Sequence, residues 1–406
     1  MRLKPALAAC LGVVVACGSS GSVPPSTPEA GPSNEDGGST SGLDGGTITL
    51  EAAPSYDSPG APGDAATPGD SATRGDSVTK GDAPTAGDSA TGGDGGCASV
   101  YGSGIFSAPN VWTKDVSCDP VDPNSKTITD ALAAAGGWGS GLTTFQIDMG
   151  LAILHATAST PMVPFAQAAG YPTPDCDVFS TIPLPPGGAI EGTTGYTCDT
   201  ANNDCHLLIA YPPTHTLYEI YQATTQGTGI VGGCGILWDL TKTYPANMRG
   251  DQCTSADAAG FPLSAMLPDA DEVGSGAVLH AIRFALPNAR IRAGVYVNPA
   301  SHAGAPMGGP NLPPYGVRMR LRADYPVNNL VSVGARVLAK ALQRFGMFLS
   351  DGGNIPLMVA SDAFTTHKWS DVNLDSHSLF GISATDFEVV DLNPTVKLTY
   401  TCVRNP

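Results

Sequence analysis

The residues best suited to chemistry fall in a few short stretches. "HLLIAYPPTHTLYEIYQA" (206–223) carries His206, Glu219 and Tyr221. It reads as a hairpin, with strands over 206–211 and 216–222 around a Pro-Pro-Thr-His loop, because two apolar, aromatic-rich runs flank turn residues. Side chains alternate along a strand, so 206, 208 and 210 share a face with 217, 219 and 221. Tyr221 then stands opposite His206, and Glu219 is a diagonal neighbour about 7–8 Å away. A carboxylate, an imidazole and a phenol on one face could exchange protons with a sugar. The plainer alternative is a solvated sheet face with ordinary polar pairs.

"DEVGSGAVLHAIRF" (271–284) is the second candidate. A helix over 276–285 would put Val278, Ala281, Ile282 and Ala285 on one packing stripe, with His280 and Arg283 as neighbours on another face. Asp271 and Glu272 would stand at its N-terminus, where negative charge is favoured. That pattern is explained by helix formation alone. The sharper expectation is that Glu272, His280 and Arg283 line a cleft and bind or protonate an acidic or hydroxylated ligand. Asp257 in "TSADAAGFPLS" suits a local cap. Trp238 in "GILWDL" suits either the core or stacking on a sugar. His302 lies in a Gly- and Pro-rich loop, and Asp351 ends a strand in a tight turn. The expected acid–base groups are therefore Glu219, Glu272, His206, His280 and Asp257. Arg283, Trp238, Tyr221, His302 and Asp351 are expected to contact substrate.

Short strands must position most of these groups. Besides the hairpin, 233–240, 289–297, 316–325, 346–351 and 385–390 read as strands, and "VKLTYTC" closes the chain as another. Helices are expected over 127–135, 255–259, 276–285 and 332–345. In the last, Val333, Val337, Leu338, Ala341, Leu342 and Phe345 share a face, and Gly346 stops it. Strands outnumber helices, so the expected fold is mainly β, a sandwich or jelly-roll-like core with helical insertions.

The N-terminus gives an address. Arg2 and Lys4 precede an apolar run from Leu7 to Ala16, too short to span a bilayer. The run ends in Val14-Val15-Ala16-Cys17, which resembles the lipobox of bacterial lipoproteins. That resemblance implies lipidation at Cys17, with residues 1–17 as the signal peptide. Gly18 follows the cysteine, and by the same resemblance this favours the outer membrane or cell surface. Residues 18–96 are dominated by Gly, Pro, Ser, Thr, Ala and Asp, with Gly-Asp recurring every six residues from 63 to 93. Such a segment buries too little apolar surface to offset its conformational entropy, so it is expected to be a disordered tether reaching about 50 Å. Residues 97–406 form one folded block.

Net charge is −17 over the chain. There is no basic run interleaved with aromatics, so nucleic acid is excluded as an expected partner. The membrane is expected to be met only through the lipid anchor. Setting aside Cys10 and Cys17, eight cysteines remain of ten, an even number that implies disulfides in an exported chain. Cys198–Cys205 and Cys234–Cys253 are the local pairings expected. Without a Cys-x-x-Cys pair no zinc site is expected, and no cofactor is implied. Gly-x-Ser-x-Gly, His-Glu-x-x-His and phosphate-loop motifs are absent, which removes the readily recognised serine esterases, zincins and nucleotide enzymes.

"TSADAAGFPL", "DEVGSGAVLHAIRF", "NLPPYGVRMRL" and "ALQRFGMFLSDGG", in this order and together with "LYEIY", resemble an uncharacterised group of secreted bacterial proteins. The resemblance covers about residues 205–354. It implies a recurrent exported module and transfers no catalytic residue. Two functions are expected from these signals. One is a tethered carbohydrate-active enzyme, a glycoside hydrolase or polysaccharide lyase, working on an extracellular polysaccharide with Glu219 and Glu272 as acid and base. The other is a non-catalytic surface lipoprotein that binds glycan or protein.

Overall fold

The computed structural model describes residues 100–406, apart from 140, 169–172 and 391. The lipobox Cys17 and the Gly-Asp tether lie outside the described residues. The fold is mainly β, as the sequence implies, and it is built from several sheets, with no closed barrel among the described residues. The central sheet has six strands in the order Ile147–Leu151, Leu357–Ala360, Ile282–Leu286, Met347–Gly352, Arg318–Leu321, Phe387–Val390. It is mixed. Ile147–Leu151 runs parallel to Leu357–Ala360, and Ile282–Leu286 runs parallel to Met347–Gly352. The remaining pairings are antiparallel.

The expected helix over 276–285 is absent. The helix is Ala270–Gly274, capped by Asp269, and Ile282–Leu286 is a strand with every residue buried. Gly276 takes a φ of +94° just beyond the helix, a conformation that a side chain resists. An apolar run covered on both faces has no period of its own, so helix and buried strand look alike in it. The expected helix over 255–259 is also absent, and those residues form turns. Of 289–297, only Val295–Val297 is a strand, after a single turn of 3-10 helix at Asn288–Arg290. The helix Val333–Arg344 forms as expected, with the Ser332 hydroxyl accepting the Ala335 N–H. It buries Val337, Leu338, Ala341 and Leu342 and packs on the strand Arg318–Leu321. Removing the Leu338 or Leu342 side chain would cost about 2–5 kcal/mol.

The hairpin forms where expected, as Leu207–Tyr211 and Thr216–Tyr221. It lies in a four-stranded sheet between Ile153–His155 and Cys234–Asp239. Its two faces serve two cores. Leu208, Ala210, Leu217, Ile236 and Trp238 join the main core. Leu207, Ile209 and Ile220 face a second core shared with Phe165, Ile182 and Ile230. Those last three residues belong to a second four-stranded sheet, in the order Thr181–Pro183, Met162–Gln167, Gly229–Gly232, Thr224–Gln226. The hairpin is thus covered on both sides, and the solvated face that the plainer alternative requires does not exist.

Three disulfides are described: Cys176–Cys234, Cys198–Cys205 and Cys253–Cys402. Such bonds form and persist outside the reducing cytosol. The short-range pairing Cys198–Cys205 was legible. The expected Cys234–Cys253 bond is replaced by two longer-range ones. Cys253 follows Gly250–Asp251, which pairs with the C-terminal Val403–Arg404, so the adjacent cysteine is Cys402. No helix among the described residues is long and apolar enough to cross a membrane.

Candidate functional site

The register places Leu208 opposite Glu219, and His206 and Tyr221 face each other with ring centroids 5.6 Å apart. The expected parity is correct, yet Glu219 is fully buried. Its Oε2 accepts the Leu263 N–H at 3.0 Å and the Trp238 indole N–H at 2.9 Å. Its Oε1 accepts the Ser264 N–H at 2.8 Å and the Ser264 hydroxyl at 2.9 Å. Burial pushes its carboxyl up, but three N–H donors that cannot accept a proton hold it as a carboxylate. Glu219 therefore ties the hairpin to the 263–264 turn and reaches no solvent. Trp238 is buried as its partner and has no face to offer a sugar.

Glu272 and His280 pair with each other, away from Glu219. Glu272 completes a capping box with Asp269 and meets His280 Nε2 at 3.3 Å. His280 Nδ1 donates to the Ala281 carbonyl at 2.8 Å. Burial works against charge on His280, but the Glu272 carboxylate outweighs it and raises the imidazole. Arg283 does not accompany them: it lies on the strand Ile282–Leu286 and pairs with Asp257 and Asp351 instead. The expected cleft of Glu272, His280 and Arg283 is absent.

Five of the expected residues do gather. His206, Tyr221, Asp257, His302 and Asp351 line one cavity of about 210 Å³ between the hairpin and the 254–258 turn. Asp204 and Tyr221 are shared with a neighbouring cleft of about 570 Å³, whose wall includes Asp148 and Glu191. Beneath the cavity Arg283 is 1% exposed, and its Nη2 donates to Asp257 at 2.7 Å and to Asp351 at 3.0 Å. The other Asp257 oxygen accepts the N–H groups of Ala259 and Phe261. Burial pushes Asp257 up to about 6, opposed by Arg283 and reinforced by Asp351. The sequence placed Asp257 in a local cap, and its backbone bonds do brace the turn. They also fix Arg283.

The histidines differ. His206 Nδ1 meets Glu191 at 2.7 Å and Nε2 meets the Ala256 carbonyl at 3.0 Å. Two acceptors require two ring protons. Burial disfavours that charge, but Glu191 overrides it and raises His206 to about 9. His302 Nδ1 donates to the Ala258 carbonyl at 2.8 Å, and burial lowers its imidazole. The neutral ring is then fixed with its lone pair on Nε2, which has no hydrogen bond among the described residues. Asp204 likewise has no side-chain hydrogen bond among the described residues. Desolvation raises its carboxyl, His206 opposes the rise, and Asp351 and Glu191 add to it. Neither Asp204 nor Glu191 is legible in the sequence. Both sit in turn-rich segments without periodicity, and only the proximity of Asp204 to His206 could have drawn attention to it.

No protein-family model, curated protein or solved structure matches this chain.

Proposed function

We propose that this chain is a surface-tethered glycoside hydrolase, held to its membrane through Cys17, that cleaves an extracellular polysaccharide in the cavity walled by Asp204, Asp351 and His302. One observation carries the reading. In a cavity whose other charged groups are locked in ion pairs, His302 and Asp204 keep acid–base atoms that no protein group occupies. His302 Nε2 takes a proton from water as its oxygen attacks the anomeric carbon. Asp204, its carboxyl raised, gives a proton to the departing glycosidic oxygen. Arg283 and Asp257 hold Asp351 in place, ready to accept a bond from a sugar hydroxyl. Hydrolysis is favoured over lyase chemistry. A lyase acts on uronates and needs cations to neutralise their carboxylates, whereas no Lys or Arg lines either the cavity or the neighbouring cleft.

The test is reducing-end release from a polysaccharide panel by wild type, His302→Gln and Asp204→Asn. Each substitution is expected to lower turnover by about 10²-fold or more, the usual share of a general acid or base, without altering the melting temperature. Turnover unchanged in both variants contradicts the assignment. Binding by wild type without turnover on any substrate supports the non-catalytic reading instead. Cys17→Ser is expected to release the protein from membranes.

A further inference from the structure

The cavity has a neighbour that acid–base chemistry does not use. Tyr400 is 57% exposed, although it stands where the chain is fastened from several sides. Its backbone lies in the left-handed region at φ +59°, a conformation that a side chain as bulky as tyrosine resists. Gln252 Oε1 holds that conformation by accepting the N–H groups of Thr399 at 2.8 Å and Tyr400 at 3.3 Å. Gln252 is itself fixed, donating through Nε2 to the Lys397 carbonyl and the Tyr296 hydroxyl. Two residues on, Cys402 is bonded to Cys253. The Tyr400 hydroxyl donates to the Gly304 carbonyl at 2.8 Å, and its ring meets the His302 ring edge-on at 5.4 Å between centroids. Gly304 and His302 both line the cavity. Tyr400 is thus an aromatic ring set at the cavity rim, immobilised at some cost and left open to solvent. Core packing does not account for that combination, since the residue remains more than half exposed.

The geometry points to Tyr400 as a stacking platform for a pyranose ring next to the one in the cavity, on a glycan that carries no carboxylates. This rests on the glycan reading of the cavity, though not on cleavage. A rigid phenol presents an apolar face to the C–H face of a sugar with little entropy to lose. Charge sets the class. Asp148, Glu191, Asp204, Asp257 and Asp351 wall the cavity and cleft, while Arg283 and His206 are already committed to carboxylates. The wall thus keeps an excess of acids over cations, which would oppose a uronate but not neutral or amino-bearing hexoses.

The experiment is calorimetric binding of glucosamine, glucosamine hexamer, cellohexaose and galacturonate hexamer to full-length wild type, Tyr400→Ala, Tyr400→Phe and Tyr400→Trp. Turnover is followed in parallel. Wild type is expected to bind glucosamine hexamer or cellohexaose at least tenfold more tightly than the monosaccharide. Tyr400→Ala should lose that gain, and both aromatic variants should keep it. Equal weakening of monomer and hexamer by Tyr400→Ala would reduce Tyr400 to a support for His302 and overturn the platform. Galacturonate hexamer bound as tightly as the others would overturn the ligand class. Failure of wild type to bind any oligosaccharide would overturn both. Should Tyr400→Ala melt early, Tyr400→Leu replaces it, and retention of the hexamer gain in that variant contradicts the proposal. Ring-dependent binding without cleavage would remove the hydrolase and leave the platform standing.

Discussion

Glu219 and His302 carry groups of equal chemical promise, and the fold treats them in opposite ways. Glu219 sits on a hairpin covered by two cores, where four donors saturate its two oxygens. His302 sits on a loop, where one carbonyl fixes its tautomer and leaves the other nitrogen open. The difference lies in what surrounds the residue. A buried carboxylate must satisfy its lone pairs inside the protein, and once it has done so nothing is left for a substrate. A loop residue beside a cavity carries no such requirement.

The contrast can be broken from its structural side. Arg283→Met should have the largest effect, because it strips the guanidinium from the buried Asp257, whose already raised carboxyl must then take up a proton or stay charged without its ion-pair partner. We expect a loss of about 3–5 kcal/mol in unfolding free energy by denaturant titration. A loss below about 1 kcal/mol would mean that Asp257 is not held as an ion. His206 comes next. Its imidazole is raised to about 9 in the folded chain, against an ordinary value of 6.5. A raised histidine contributes stability that is complete below pH 6.5 and is lost as pH rises through about 9, up to roughly 3 kcal/mol. Wild type should therefore weaken across that window, and His206→Gln should not. Parallel pH profiles for the two proteins would contradict the His206–Glu191 pair. Glu219→Gln follows, with an expected loss of about 2 kcal/mol, since an amide nitrogen would face donors. Smallest of all, His302→Gln should change stability by less than about 0.5 kcal/mol while removing turnover. The reverse outcome, an unstable His302→Gln that still turns over, would exchange the roles of the two regions.

The hairpin shows how much of this was legible. Loop length and alternation were enough to pair His206 with Tyr221 and to put Glu219 on the same side. They could not say that both faces are covered, because the second sheet is drawn from 162–167, 181–183 and 224–232, which share no local pattern with the hairpin. The "AIRFAL" run failed for a related reason: its burial on both faces comes from distant strands, and its periodicity fits a helix equally well. Of the cavity, His206, Tyr221, Asp257, His302 and Asp351 were all singled out, but as separate features. Their convergence depends on non-local contacts, such as the parallel pairing of Ile282–Leu286 with Met347–Gly352 that sets Asp351 near Arg283, and the salt bridge by which Arg283 also holds Asp257. Non-local pairings of this kind leave little trace in a single sequence. Asp204 and Glu191 left none.

The most direct test of the central claim, that His302 retains an open acid–base atom while His206 does not, is an NMR titration of the imidazole nitrogens in wild type. The account predicts that His206 carries protons on both nitrogens at neutral pH and loses one only near pH 9, whereas His302 is already neutral, protonated at Nδ1 and bare at Nε2. A doubly protonated His302 at neutral pH, or a neutral His206, would contradict it.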